Sequence, residues 1–264
     1  MQPKPDFLGP LHARRFQDQS VVDRYHLRPT CPPETFHILA GLITDEPRAV
    51  LDVGCGTGDI ARNLLDFVER IDAIDISLPM MEKGKALPGG NSPKIRWLHG
   101  CAEDIALAPP YTLVTAGQSI HWMEWDIVMP RFQQALTPHG FLAILGPEQQ
   151  PTPWDTPLRD IVKRYSTNQA YQPVDLIAEF EQRRLFQKVG EVYTEPAPFQ
   201  QPLSDYIEAF HAKSSLSRDH MTREAAAAFD KAMLEMLAPY AQEGIVTIQV
   251  VGHIVWGKPK GANI

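Results

Sequence analysis

The sequence predicts an α/β fold: a doubly wound, mostly parallel sheet with helices on both faces and a helical lid inserted in the C-terminal half. Three observations carry this. Between residues 32 and 148, short apolar β-type runs alternate with helix-spaced segments. The first run ends in a glycine-rich turn, LDVGCGTG at 51–58, which leads straight into a helical pattern. After residue 148 the alternation stops at PEQQPTPWDTP, with four prolines in eleven residues.

Taken in order, PPETFHILAGLI opens on proline and places Phe36, Leu39, Leu42 and Ile43 on one face, which predicts a helix. RAVLDVG reads as a buried strand. DIARNLLDFVE reads as a helix, with Ile60, Leu64, Leu65 and Val68 at helical spacing. RIDAIDIS, KIRWLHG, YTLVTAG and GFLAILG read as further strands, and LPMMEKGKAL and EWDIVMPRFQQAL as the helices between them. Beyond the proline stretch, helices are predicted at about 154–171, 174–187, 203–212 and 222–240. GEVYTEPAPF is a strand candidate among them, and GIVTIQVVGHIVWGKP suits a final strand.

The 264 residues are 44% hydrophobic, enough for a large core. The balance of 25 basic against 32 acidic residues, net −7, argues against a general affinity for nucleic acid, which rests on clustered Lys and Arg. The longest apolar runs, FLAIL and IVTIQVV, are far too short to span a bilayer. The start, MQPKPDFLGP, has no apolar stretch of the signal-peptide kind and reads as a mobile arm. Cys31, Cys55 and Cys101 are odd in number and lack metal-site spacing. No metal site and no disulfide framework are expected, and the setting predicted is reduced and cytoplasmic. Nothing in the sequence fixes the oligomeric state.

Glycines at 54, 56 and 58 let a tight turn reach positive φ and let a ligand touch bare backbone. The helix that follows offers free N–H groups. A phosphate loop needs GxxxxGK[ST], and no such Lys or Ser follows; a dinucleotide fingerprint is GxGxxG, whereas this turn is GxGxG. Phosphate, a dinucleotide and a sulfonium nucleoside remain open at this point. Asp75, 17 residues beyond Gly58 at the end of the next strand, can accept two ribose hydroxyls. GCAEDI at 100–105 and AGQSIHWMEW at 116–125 follow the third and fourth strands. All four segments lie at carboxyl ends of successive strands, where one ligand can meet them together.

The ordered set LDVGCGTG, IDISLPMM, HGCAEDI and VTAGQSIHW resembles the motifs of class I S-adenosylmethionine-dependent methyltransferases, in the small-molecule subgroup that includes trans-aconitate methyltransferase. The resemblance covers roughly residues 20–148. DRYHLRPTCP is similar to the Y-x-x-R-P-x-x-P segment that precedes the first motif in that subgroup. Cys101 departs from the pattern, where an Asp is usual. The resemblance implies a Rossmann-like fold with S-adenosyl-L-methionine as cofactor. It implies that Gly54, Gly56 and Gly58 lie against the amino-acid end, with Asp52 near the ammonium. Asp75 would hold the ribose, Ile76 and Met80 sandwich the adenine, and Ala102 and Glu103 meet its edge. Gln118 would close the methionine end, and Tyr25 close over the cofactor. The implied organisation is an N-terminal arm at 1–20, a cofactor-binding core at 21–148, a helical lid with substrate-binding insertions at 149–240, and a final strand and tail at 241–264.

Methyl transfer from a sulfonium to O, N or C of a small-molecule acceptor is a direct displacement, which demands alignment and exclusion of water. A phenol, alcohol or protonated amine needs a base; a carboxylate or tertiary amine does not. His121, just past the fourth strand, is the candidate base. Trp122 and Trp125 are candidate walls of the acceptor pocket, and Arg28 a candidate grip on an acidic acceptor. The rival readings are an NAD-dependent oxidoreductase and a non-catalytic S-adenosylmethionine-binding partner subunit.

Overall fold

The computed structural model describes residues 4–261. Five parallel strands form the body of the sheet: β1 (Ala49–Val53), β2 (Arg70–Asp75), β3 (Ile95–His99), β4 (Tyr111–Gly117) and β5 (Leu136–Gln149). Three antiparallel ones follow: β6 (Phe186–Tyr193), β7 (Ala197–Pro202) and β8 (Ile245–Pro259). The order β3-β2-β1-β4-β5-β8-β6 reverses direction between β1 and β4, which opens a crevice beyond their carboxyl ends.

Every residue of β1 is buried, because both faces of the sheet are covered. Alternate side chains go to opposite cores. Leu51 and Val53 face α6 (Trp125–Ala135) through Val128, Met129 and Phe132. Val50 faces α3 (Glu34–Gly41), through Phe36 and Leu39, and Leu64 after α4 (Asp59–Asn63). The helix predicted at 59–69 is thus cut short: past Asn63 the chain tightens into a 3₁₀ turn at Leu65–Phe67. The Arg48 Nε–H donates to the Phe67 carbonyl at 2.7 Å and holds that turn against β1.

The strand candidate at 190–199 is two strands. β6 and β7 run along the same edge of β8, either side of an interruption at Pro196, which has no N–H to give a ladder. The N-terminal half of β8 carries a third core. There Val246, Ile248 and Val250 pack against Tyr206, Phe210 and Phe229, from α9 (Leu203–Phe210) and α10 (Arg223–Leu237). The helix expected at 154–171 ends at Tyr165 (α7, Asp155–Tyr165), and that expected at 174–187 is α8 (Leu176–Gln182). Arg184, at φ +59°, turns the chain out of α8 and into β6.

Of the segment expected as a mobile arm, residues 4–20 include α1 (Pro10–Arg14) and the start of α2 (Gln19–Arg24). Phe16, Val21 and Val22 pack on Met80 of α5 (Leu78–Ala86). The Ser77 hydroxyl donates to the Phe16 carbonyl at 2.9 Å and the Lys83 ammonium to the Val22 carbonyl at 2.7 Å. Apolar side chains and two donors thus seat the segment over the carboxyl end of β2. Among the described residues no helix is long and apolar enough to cross a membrane.

Asp72 ties the sheet together on its outer side. Its carboxylate accepts from Arg96 Nε at 2.8 Å and Nη2 at 2.6 Å, and from the Tyr111 hydroxyl. We expect Asp72→Ala to cost about 2–3 kcal/mol, the low side of a buried-pair deletion because Arg96 keeps contact with solvent. Urea denaturation measures this; an unchanged midpoint would show the bidentate pair to be neutral.

Candidate active site

The turn after β1 is bound to the end of β2. Cys55 N–H donates to the Ile74 carbonyl at 2.9 Å, and Gly56 N–H to Asp75 Oδ2 at 2.7 Å. Asp75 Oδ1 accepts from Ser77 N–H at 2.7 Å. Burial pushes the Asp75 carboxyl upward, and these backbone N–H groups oppose that by favouring the charged form. The carboxylate is therefore held in one orientation, with lone pairs left over for a ligand.

Gly54, Gly56 and Gly58 have φ of +66°, +55° and +71°, so the turn needs residues without a Cβ. Their environments differ. At Gly56 the space a Cβ would take is 3.8 Å from the Tyr25 ring, on the wall of a cavity. At Gly54 a Cβ would meet Ser119 Cβ at 2.3 Å. Gly58 is not on a cavity wall: a Cβ there would strike the Trp97 ring at 2.4 Å. It ends the turn in the left-handed region and lets Trp97 pack.

A cavity of about 670 Å³ lies over the carboxyl ends of the strands, the size range of small-ligand sites. Asp75, Ile76 and Met80 form its β2 side, with Ala102 and Glu103 beyond β3. Gln118 and Trp122 line it after β4, and Tyr25 and Arg28 come in from the N-terminal segment. Cys101 is on its wall. A smaller cavity of about 230 Å³ adjoins it, sharing Tyr25, Arg28, Gly54 and Gln118, and contains Asp52. Asp52 Oδ1 accepts from the Thr115 hydroxyl at 2.8 Å, while Oδ2 is buried with no hydrogen-bond partner. Burial pushes its carboxyl up to about 7.

The N-terminal segment closes the rim. Arg28 Nη2 donates to Gln118 Oε1 at 2.7 Å, and the Arg28 guanidinium lies 5.2 Å over the Tyr25 ring. Gln118 has φ +50°, an uncommon conformation for a residue with a Cβ. Glu103 Oε1 accepts from Glu124 N–H at 2.8 Å, linking the segments after β3 and β4.

Two expected residues lie elsewhere. Trp125 is in the core: its indole N–H donates to the Ile120 carbonyl at 2.9 Å and its ring meets Phe180 at 5.0 Å. It starts α6, and the helix turns its side chain inward, so it walls no pocket. His121 is absent from the walls of both cavities; its ring packs against Trp122 at 4.5 Å. Burial lowers its pKa to about 4, helped by the charges of Lys4 and Arg28, so the ring is neutral at pH 7.

Sequence reasoning missed several wall residues, among them Ala13, Phe16 and Gln17. The signal present was the apolar triplet Phe16, Val21 and Val22, which an arm exposed to water would not need. Among the described residues no group of His, Cys, Asp and Glu is placed to hold a metal.

Residues 50–140 match the methyltransferase domain family. Residues 50–140 are a methyltransferase domain. The methyltransferase domain is 30% identical over 113 residues to a malonyl-[acyl-carrier protein] O-methyltransferase of Halalkalibacterium halodurans, a match of 39% of this chain and 41% of that protein. It is 25% identical over 185 residues to a trans-aconitate 2-methyltransferase of an Acidovorax species, covering 69% of this chain and 67% of that one. Matches to the first of these relatives span about half of their length or less. Among solved structures, a type II methyltransferase from Anaeromyxobacter dehalogenans, described as putative, shares the fold at a TM-score of 0.58 and 20% identity, over 88% of this chain and 99% of that one. A Thiobacillus denitrificans methyltransferase solved with S-adenosyl-L-homocysteine aligns at a TM-score of 0.54 and 16% identity, over 91% of this chain and 97% of that one. These structures show that the methyltransferase domain has the common fold.

We expect Gly54→Ala to destabilise the protein by roughly 2–4 kcal/mol, from left-handed strain plus a clash with Ser119, whose hydroxyl is fixed on the Val53 carbonyl at 2.6 Å. Denaturant titration reads the loss; wild-type stability would mean that the turn flips to another conformation.

Proposed function

We propose that this chain transfers a methyl group from S-adenosyl-L-methionine to O, N or C of a small-molecule acceptor by direct displacement. The observation that carries the reading is Asp75, whose two oxygens are oriented by Gly56 and Ser77 amides at the edge of the larger cavity. The donor set suits this cofactor. Buried Asp52 Oδ2 lacks a partner and is matched to an ammonium, and the glycine turn lacks the Lys and Ser/Thr that a phosphate loop needs. When bound, the cofactor supplies a methyl carbon on a cationic sulfur, open to attack from the side opposite that sulfur.

In this reading Asp75 holds the ribose hydroxyls, Ile76 and Met80 flank the adenine, and Ala102 and Glu103 meet its edge. Gly54 and Gly56 admit the amino-acid end and Asp52 faces its ammonium. Tyr25, Arg28 and Gln118 exclude water at the rim, where Arg28 and Gln118 are already bonded. Trp122 walls the acceptor end. His121 orients rather than abstracts: a group with a pKa near 4 is a weak proton acceptor at neutral pH. The helices of 149–240 act as the lid that chooses the acceptor. The three cysteines are free thiols, in keeping with a reduced cytoplasmic setting, and the net charge of −7 favours a small acceptor over nucleic acid.

The decisive experiment is calorimetry with S-adenosylhomocysteine and with NAD⁺, followed by transfer of a labelled methyl group. Binding of the first alone and label in an acceptor are expected; tight NAD⁺ binding, or label that never leaves the cofactor, would overturn the reading. Asp75→Ala should weaken S-adenosylhomocysteine by about 1.5–3 kcal/mol, the value of a charged hydrogen bond. Asp52 generates a pH dependence. Below about pH 7 its carboxyl is protonated in the free protein and must lose that proton to meet an ammonium. Affinity should therefore fall as pH drops through 7, by up to about tenfold per unit, and level off above it. Asp52→Asn should bind more weakly with a flat profile; an unaltered slope would place the titration elsewhere.

A further inference from the structure

Gly146 lies inside β5, paired with His253 of β8, and its φ is not positive. Its backbone conformation is therefore one that any residue adopts, and the need for glycine arises elsewhere. It arises at Gln118. A Cβ at 146 would meet Gln118 Cγ at 2.7 Å, Nε2 at 3.0 Å and Cδ at 3.2 Å, its three nearest atoms. Two glycines of the neighbouring strand are shut in differently. A Cβ at Gly252 would strike the hydroxyl of fully buried Thr35 at 2.1 Å, and one at Gly257 the Gln187 carbonyl oxygen at 2.2 Å. Those two glycines serve the packing of the sheet. The obstacle at Gly146 is an exposed, flexible side chain that lines both cavities.

Gln118 leaves β4 beside β5, where its N–H donates to the Leu145 carbonyl at 3.0 Å. A φ of +50° costs energy in a residue with a Cβ, so its surroundings sustain this conformation. The side chain lies across Gly146 and accepts from Arg28 Nη2 at 2.7 Å. Among the described residues the Arg28 guanidinium has no other hydrogen-bond partner and no ion pair. It covers the Tyr25 ring, and that ring faces Gly56. A row of contacts thus crosses the site from β5 to the glycine turn. Its middle members, Gln118, Arg28 and Tyr25, line both cavities and stand between them.

Building on the methyl-transfer reading above, we propose that Gly146 is a positioning residue, whose bare backbone seats Gln118 so that its bond to Arg28 closes the rim at the methionine end of the cofactor. A methyl group at 146 pushes the Gln118 amide aside, because an exposed side chain changes rotamer more easily than a strand shifts. The guanidinium then loses its acceptor, Tyr25 loses its cover, and the rim opens while the sheet stays as it was. The effect falls on binding rather than on stability.

The test is a double-mutant cycle on S-adenosylhomocysteine binding, read by calorimetry, with thermal denaturation alongside. Gly146→Ala should weaken S-adenosylhomocysteine by about tenfold, the loss of one hydrogen bond to a charged group, with little change in melting temperature. Gln118→Ala should weaken it by a like factor. In the Gln118→Ala background, Gly146→Ala should alter affinity by less than about twofold, because the side chain it displaces is gone. A glycine needed only for the sheet would weaken binding equally in both backgrounds, and that result would overturn the positioning role. So would wild-type affinity in either single variant, or a Gly146→Ala chain that does not fold, since each means that the Gln118 side chain is not what yields. Failure of the wild-type chain to bind S-adenosylhomocysteine would instead overturn the methyl-transfer reading, and the role of Gly146 with it.

Discussion

The parallel pairing of β1 with β2 is the constraint on which the rest of the site depends. The register Val53↔Ile74 puts the end of β2 beside the glycine turn, and only then can Gly56 N–H reach Asp75. The residues are 19 apart in the chain, and no local turn would bring them together. Once made, the bond fixes the turn and the carboxylate at once, and the second oxygen is fixed through Ser77. The free N-terminus of α4, the floor of the larger cavity and the exposure of Gly56 to it all follow from that one alignment.

Burial sets the electrostatics around the glycine turn. At the glycine turn, burial pushes both Asp52 and Asp75 upward and so favours their protonated forms. Beside Trp122, burial pushes His121 downward, and the charges of Lys4 and Arg28 add to it. The charges of the Arg24–Glu208–Arg218–Asp230–His211 network compensate one another and link α9, α10 and the N-terminal segment.

The strands, the helices between them and the order of the motifs were legible in the sequence, because burial on both faces forces continuous apolar runs and a two-residue alternation. Gly54, Gly56, Asp75 and the residues after β3 were legible for a related reason. Backbone conformation and strand-end position are local properties, and the parallel topology then dictates that such ends meet. Trp125 was read as a pocket wall because its place after β4 is visible in the chain, whereas the Ile120 carbonyl and the Phe180 ring that draw its indole inward are not. At Gly58 the need for positive φ is visible in the glycine pattern, whereas the Trp97 ring that also demands a glycine there is not.

By itself the sequence determined the α/β class, the glycine turn and the acid that partners it, since each is set by residues near one another in the chain and by the fixed geometry of a parallel ladder. Only the tertiary structure decided that residues 4–28 cover the site and that this segment is tied to the far end of the chain, Arg24 to Glu208 and Arg15 to Ser214. Those contacts join segments nearly two hundred residues apart. Their formation depends on which apolar faces and ion pairs close first around the sheet, and no local pattern in the chain records that competition.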